Sequence, residues 1–318
     1  MKKIVQSLEA TSKVISSTES LLGTLADLEK DEQKKEEETQ ELIRGLSEGK
    51  ITEERLERLR QEERVEVNEE DKMVKFLTQI VQGEGEAVQD LEDIVGGLDS
   101  EEKRADQNIQ QIKNLVSKIK NDPEFEMSRE TLEALFENSK NAADLILDEA
   151  DEELQASNIT QELASELGFT AQEVIKAERI EGEEENEEAE IEQLSQRINS
   201  QKLQEFIHEL ERHTKRDEQK TEQTRRQLLD LIDEAEVSEE ELESETKHTY
   251  QEAEQLLNLL QEIDRMAENA GMADQDFQEN FGNLMDEVGK AEKEAGEAVN
   301  KEEQAEEKEK QAGDTANQ

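Results

Sequence analysis

From Thr246 to Ala298 the chain holds one heptad frame. Its a positions are Thr246, Ala253, Leu260, Ala267, Asp274, Phe281, Val288 and Ala295. Its d positions are Thr249, Leu256, Ile263, Ala270, Phe277, Leu284, Ala291 and Ala298. Apolar residues alternating at spacings of three and four draw one greasy stripe along a helix, and that stripe must pack on another helix. At 1.5 Å rise per residue the frame predicts a rod roughly 80 Å long, with Gly271 placed to kink it. Leu256, Leu260, Ile263, Phe277, Phe281, Leu284 and Val288 form the predicted coiled-coil interface. The stripe widens where Leu257 and Leu259 join Leu256, Leu260 and Ile263, which favours a bundle of three or more helices there.

Composition supports the same class. Ala, Glu, Lys, Leu and Arg make up about half of the 318 residues, a share that marks coiled coils and long helices. With one proline and no tryptophan, the apolar residues line seams and fill no thick core. The net charge is −49. In dilute buffer the Glu-rich faces repel one another and oppose compaction. At about 1 M salt the Debye length shrinks to about 3 Å, and most of that repulsion is screened. The chain therefore reads as an acidic protein with halophilic adaptation. The cations of a high-salt cell interior are expected to gather on its faces without dedicated sites. Nucleic acid and anionic membranes need basic patches, so neither is an expected partner. There are no cysteines, which excludes disulfides. Met1-Lys2-Lys3 is not followed by an apolar run, and no stretch approaches the length of a membrane span. The expected location is the cytoplasm.

Along the chain, Ile4, Leu8, Ile15, Leu22 and Leu25 share a frame that weakens over Glu29, Glu32 and Glu36 and recovers at Ile43 and Leu46. Thr11 and Thr18 occupy core positions in it. Such threonines either fix register or pack loosely, and loose packing is the reading adopted. Gly45 and Gly49 break the pattern, and Thr52 is placed to cap a restart. Leu42 to Leu56 loosely resembles the helical hairpins of SHOCT-type oligomerisation segments, and is read as a bend near residues 45–52. A third frame runs from Met73 to Ile119, with Glu84 and Glu101 at core positions. Gly83, Gly85, Gly96 and Gly97 weaken it, and Gly96-Gly97 reads as a break. Asp122-Pro123 ends this region. Ser128 caps the next helix. Glu181 to Glu188 is a charge run, read as a linker or solvated helix. The pattern returns at Ile191 and passes polar core positions at Thr214, Asp217, Thr221 and Thr224. It then reaches Thr246 through a four-residue stutter.

Leu167-Gly168-Phe169 fits a helix stop, and Thr170 with Glu173 fits a capping box. Thr160 to Val174 resembles the helix-turn-helix of repressor-type regulators. The resemblance implies a recognition helix from Thr170 to Ile180 with Thr170, Gln172 and Lys176 as possible DNA-binding residues. Glu173, Glu178 and Glu181 stand beside its two cations, so a plain helical corner is the preferred reading. Asp274, Asp276 and Asp286 fail as a calcium loop, because Glu279 stands where the sharp turn needs glycine. His208 and His213 are five apart, off the spacing of a helical zinc pair, and all three histidines read as solvated. No nucleophile–base constellation or phosphate loop is present. No catalytic, cofactor-binding or metal residues are therefore expected.

The expected fold is all-α: an elongated coiled coil or open helical bundle with acidic linkers and a disordered C-terminal tail. The expected segments are 1–121, a short helical piece at 122–182, a long coiled coil at 183–300 and an acidic tail at 301–318. The expected role is a non-enzymatic scaffold, spacer or oligomerising adaptor. Its partners would be protein helices from the same chain or another copy, with a homo-oligomer favoured. A DNA-binding regulator using residues 158–180 is the alternative.

Overall fold

The computed structural model describes residues 2–48, 52–121, 127–198 and 201–317. These residues form five helices and no strand: α1 (Lys2–Ser47), α2 (Glu53–Asn121), α3 (Arg129–Ile198), α4 (Gln201–Asn269) and α5 (Gln275–Ala316). The fold is all-α, as the heptads require. Gly49, Ile51 and Asp122-Pro123, expected at the first two connections, lie outside the described residues.

Helix starts follow local chemistry. The Thr52 hydroxyl accepts the Arg55 amide at 3.3 Å, the Ser128 hydroxyl accepts that of Thr131 at 3.1 Å, and the Asp274 carboxylate accepts that of Phe277 at 2.9 Å. Each side chain satisfies one orphan donor of a first turn.

The predicted rod from Thr246 to Ala298 is not one helix. α4 ends in a glycine-capped reversal. The Met272 amide donates to the Ala267 carbonyl at 2.9 Å and the Gly271 amide to that of Glu268 at 3.0 Å. That pair of bonds is a Schellman motif, which needs a left-handed residue at its turn. Gly271 supplies it with φ +67°. The heptad frame continues in phase across the turn, so its two halves pack on each other. Tyr250 of α4 lies 3.7 Å from where a Cβ on Gly296 of α5 would stand, and Thr246 bonds Glu302.

Four other expectations are corrected. Gly96-Gly97 does not break α2, and Leu167-Gly168-Phe169 does not stop α3. Gly168 instead faces the Ala312 methyl of α5, 4.0 Å from its would-be Cβ. The run Glu181–Glu188 is no linker: it lies inside α3, with Glu181 and Glu187 buried. The tail expected to be disordered is helical to Ala316. Ala305, Ala312, Glu302 and Glu309 are buried along it, because the same a and d positions run on past Ala298 with alanine in place of larger residues.

The chain forms two compact units, neither a continuous stretch of sequence. The first comprises Met1–Ser12, Val88–Leu163 and Ala235–Glu307, and the second Lys13–Ala87, Ala164–Glu234 and Lys308–Gln318. The core of the first draws Ile109 and Ile112 from α2, Leu135 and Ile146 from α3, Leu256, Leu260 and Ile263 from α4, and Phe281, Leu284 and Val288 from α5. Phe281 stacks on Phe277 with ring centroids 4.5 Å apart and tilts against Phe136 at 5.7 Å. In the second unit Ile43 and Leu46 of α1 and Leu59 of α2 meet Ile191 and Leu194 of α3 and Phe206, Ile207 and Leu210 of α4. The Arg60 guanidinium lies 5.4 Å from the Phe206 ring centroid, a cation–π contact.

Glycines in α2 serve approach rather than interruption. A Cβ on Gly83 would meet the Thr18 methyl of α1 at 2.7 Å. Gly96 has open space around it. Gly83→Ala gains about 1 kcal/mol of helix propensity. It also overpacks the α1–α2 seam at about 1–3 kcal/mol and disturbs a buried hydroxyl bond worth about 1–3 kcal/mol. Chemical denaturation should show Gly83→Ala destabilised and Gly96→Ala stabilised by up to about 1 kcal/mol. Equal effects at the two positions would contradict this packing.

Candidate functional site

The seams carry a load of buried carboxyl groups, and several of these meet a hydroxyl from another helix. In the second unit Thr39 donates to Glu66 at 2.6 Å, Thr18 to Glu166 at 2.5 Å, Thr170 to Glu84 at 2.5 Å and Thr214 to Glu188 at 2.6 Å. Thr221 donates to Glu181. In the first unit Glu302 of α5 accepts from Ser157 of α3 at 2.6 Å and from Thr246 of α4 at 2.9 Å, and Thr249 donates to Glu153 at 2.6 Å. Loose packing is thus the wrong reading of Thr18, and the polar core positions Thr214, Thr221, Thr246 and Thr249 are bonded in the same way. A hydroxyl one helix away supplies the hydrogen bond that a buried carboxyl needs.

These surroundings raise the proton affinity of the carboxyls. Burial pushes Glu84 up to about 8; the Thr170 bond pulls it down and Glu166 raises it further. Burial likewise lifts Glu302 to about 7 against its bonds from Ser157 and Thr246, and Glu181 to about 7 against its bond from Thr221.

The densest group lies in the second unit, where Glu63 and Glu66 of α2 meet Glu187 of α3. Glu63 and Glu66 are three residues apart and share a helix face. One carboxylate oxygen of each lies within 4.8 Å of the others, and all three side chains are buried. Burial pushes Glu63 up to about 9, with Glu66 and Glu187 adding repulsion. Glu187 rises to about 8 through burial and the charges of Glu66 and Glu36. Glu66 rises to about 7 through burial, against its bond from Thr39. α1 steadies the group: the Thr39 hydroxyl donates to Glu66 at 2.6 Å, and the Gln40 amide, which donates to Glu36 at 2.9 Å, pulls Glu187 down. Glu184, lifted by burial to about 7, bonds Glu70 beside them.

No sequence motif pointed to these residues, because Glu–Glu pairs occur throughout the chain. The available signal was a carboxyl at a position whose heptad neighbours are apolar, as at Glu84. A second group, Asp106 with His248 and Glu252, gathers in the first unit. His248, expected to be solvated, is half-buried there. His208 is exposed and bonds Glu211 at 3.2 Å.

The expected interface residues have their mates within the chain. Leu256, Leu260, Ile263, Phe281, Leu284 and Val288 are buried in the first unit's core, and Phe277 is half-buried against it. Phe277 also lines an open cavity of about 560 Å³ with Phe136 and Met272. The helix-turn-helix expectation fails on geometry, since α3 runs unbroken through residues 158–180. Thr170 is buried on Glu84, and Lys176 is held by Glu173 at 2.7 Å and Glu29 at 3.2 Å. Of the three, Gln172 is exposed and Lys176 half-buried. A helix-turn-helix needs two helices meeting at a corner, and α3 has no corner between residues 158 and 180.

No family model and no curated protein matches the chain. Among solved structures it is similar to a computationally designed self-assembling cyclic homo-oligomer, at 13% identity over 90% of this chain and 98% of that one, with a TM-score of 0.21. It is also similar to a de novo designed helical repeat protein, at 15% identity over 87% and 99%, with a TM-score of 0.19. Likenesses this slight say nothing about function. Among the described residues no helix is long and apolar enough to cross a membrane.

A carboxyl whose proton affinity is higher in the folded chain than in the unfolded one favours folding at low pH. Its contribution is full below the unfolded value of 4.5 and is lost as pH rises through about 8 for Glu84. Glu84→Gln mimics the protonated form. Its melting temperature should match wild type near pH 5 and exceed it increasingly toward pH 9. A constant difference across that range would show that Glu84 titrates normally.

Proposed function

We propose that the protein is a non-enzymatic helical scaffold or spacer that organises other proteins and works at high ionic strength. The observation that carries this reading is the use of the chain. α2, α3 and α4 run 69, 70 and 69 residues, and most of their large apolar residues are spent on seams between helices. What remains outside is a dense field of Glu and Asp, with 87 acidic against 38 basic residues in the whole chain. Such a field favours hydration of long helices and discourages non-specific association.

The reading differs in one respect from a simple oligomerising coiled coil. The strongest seam is consumed by intramolecular packing between α4, α5, α2 and α3, so partner binding falls to the outer surface. Self-association through that surface belongs to the proposal and is tested with it. The cytoplasm of a salt-accumulating cell is the setting in which the charge excess is best tolerated.

Circular dichroism and light scattering across about 0.1 to 3 M KCl test the salt dependence, because the screening length falls over that range from about 10 Å to below about 3 Å. The melting temperature should climb steeply with KCl while the helical signal is retained. A flat response would remove the high-salt part of the reading. Capture from a native high-salt lysate should retain a protein in stoichiometric amount or a second copy of the chain. Recovery of neither would overturn the scaffold role.

A further inference from the structure

We propose that Glu63, Glu66 and Glu187 form a site for one divalent hard cation of the calcium–manganese class. The inference is independent of the scaffold reading and rests on the geometry of one layer in the second unit.

Three observations carry it. Oxygens that share a calcium ion at 2.3–2.6 Å stand at most about 5 Å apart, and the three carboxylates each offer an oxygen within 4.8 Å of the others. The Thr39 hydroxyl of α1 occupies an acceptor site on Glu66 at 2.6 Å. It acts as an outer partner that orients that carboxylate, as a ligand set requires. The third observation is Glu63. It is 6% exposed, and its buried Oε1 meets no donor. A buried polar atom of that kind is costly unless something occupies its lone pairs.

Protein cations do not fill the role. Lys35, whose charge reaches Glu66, is held by Glu69 at 2.6 Å. Arg60 pairs with Glu57 at 3.3 Å and lies against Phe206. An all-oxygen ligand set without histidine or cysteine selects hard cations and disfavours zinc or copper. The helical mounting is rigid: Glu63 and Glu66 are fixed by the α2 register, and Glu187 by the α2–α3 seam.

The experiment uses the full chain, chelator-treated and folded in about 2 M KCl, which screens the outer carboxylates to below about 3 Å. Manganese chloride is titrated while electron paramagnetic resonance reads the free ion. Parallel melting curves compare MnCl₂ with KCl at matched ionic strength. One Mn²⁺ per chain should bind with a dissociation constant at least about tenfold below that of the weak surface population, near the about 10⁻⁴ M of modest calcium sites. Calcium chloride should displace it, and the melting temperature should rise beyond the matched KCl control. Glu63→Gln with Glu187→Gln should abolish the tight ion. The double variant replaces two buried ionisable groups with neutral amides of the same shape, so it should fold at least as well as wild type in KCl alone. Glu84→Gln, which touches a different layer, should keep the tight ion. Weak binding of many ions in the wild type, or a tight ion that survives in the double variant, would overturn the site.

Discussion

The bundle depends on keeping carboxyl groups inside. A heptad seam made only of leucine and isoleucine holds helices together but leaves their axial slip weakly specified. Here hydroxyls of Thr18, Thr39, Thr170, Thr214 and Thr249 each find a glutamate on another helix. A buried carboxyl without a donor costs more than a paired one gains, so each pair strongly penalises any other alignment. The pairs also explain how a chain this acidic tolerates long helices side by side. Part of its carboxyl content is held in the protonated form, with burial as the first cause at Glu84, Glu302 and Glu181.

Much of the secondary structure was legible because helical periodicity survives local noise. The Met73–Ile119 frame passes through four glycines and is still one helix, since Gly83 sits where α1 comes close and Gly96 faces open space. Local stop signals misled where packing overrode them. Leu167-Gly168-Phe169 has the letters of a C-cap, but α5 covers Gly168 with Ala312 and the helix continues. Gly271 also sits between two apolar residues and does terminate, with φ +67° and both Schellman bonds formed. A single sequence does not distinguish the two glycines. Past Ala298, alanines at heptad spacing were hidden by their Glu- and Lys-rich surroundings.

The candidate site was far less legible. Its residues are ordinary glutamates in a chain containing many, and their meaning arises only from juxtaposition. Glu63 and Glu66 belong to α2 and Glu187 to a run in α3 that reads as a linker or solvated helix. Nothing in the spacing within either helix states that α2 and α3 bring those positions to one level. The same is true of Thr170, which has the position of a capping residue and the role of a cross-helix donor.

The reversal at Gly271 has a consequence for how the chain tolerates change in length. Because one seven-residue rhythm passes through the turn unbroken, α4 and α5 run antiparallel with their seams facing, like two halves of a folded ruler with matching graduations. Removing whole heptads symmetrically from both limbs leaves every graduation opposite its mate. Removing three or four residues from one limb alone sets Glu302 beside neither Thr246 nor Ser157. Evolution along such a hairpin is therefore free to proceed in paired steps and closed to single ones.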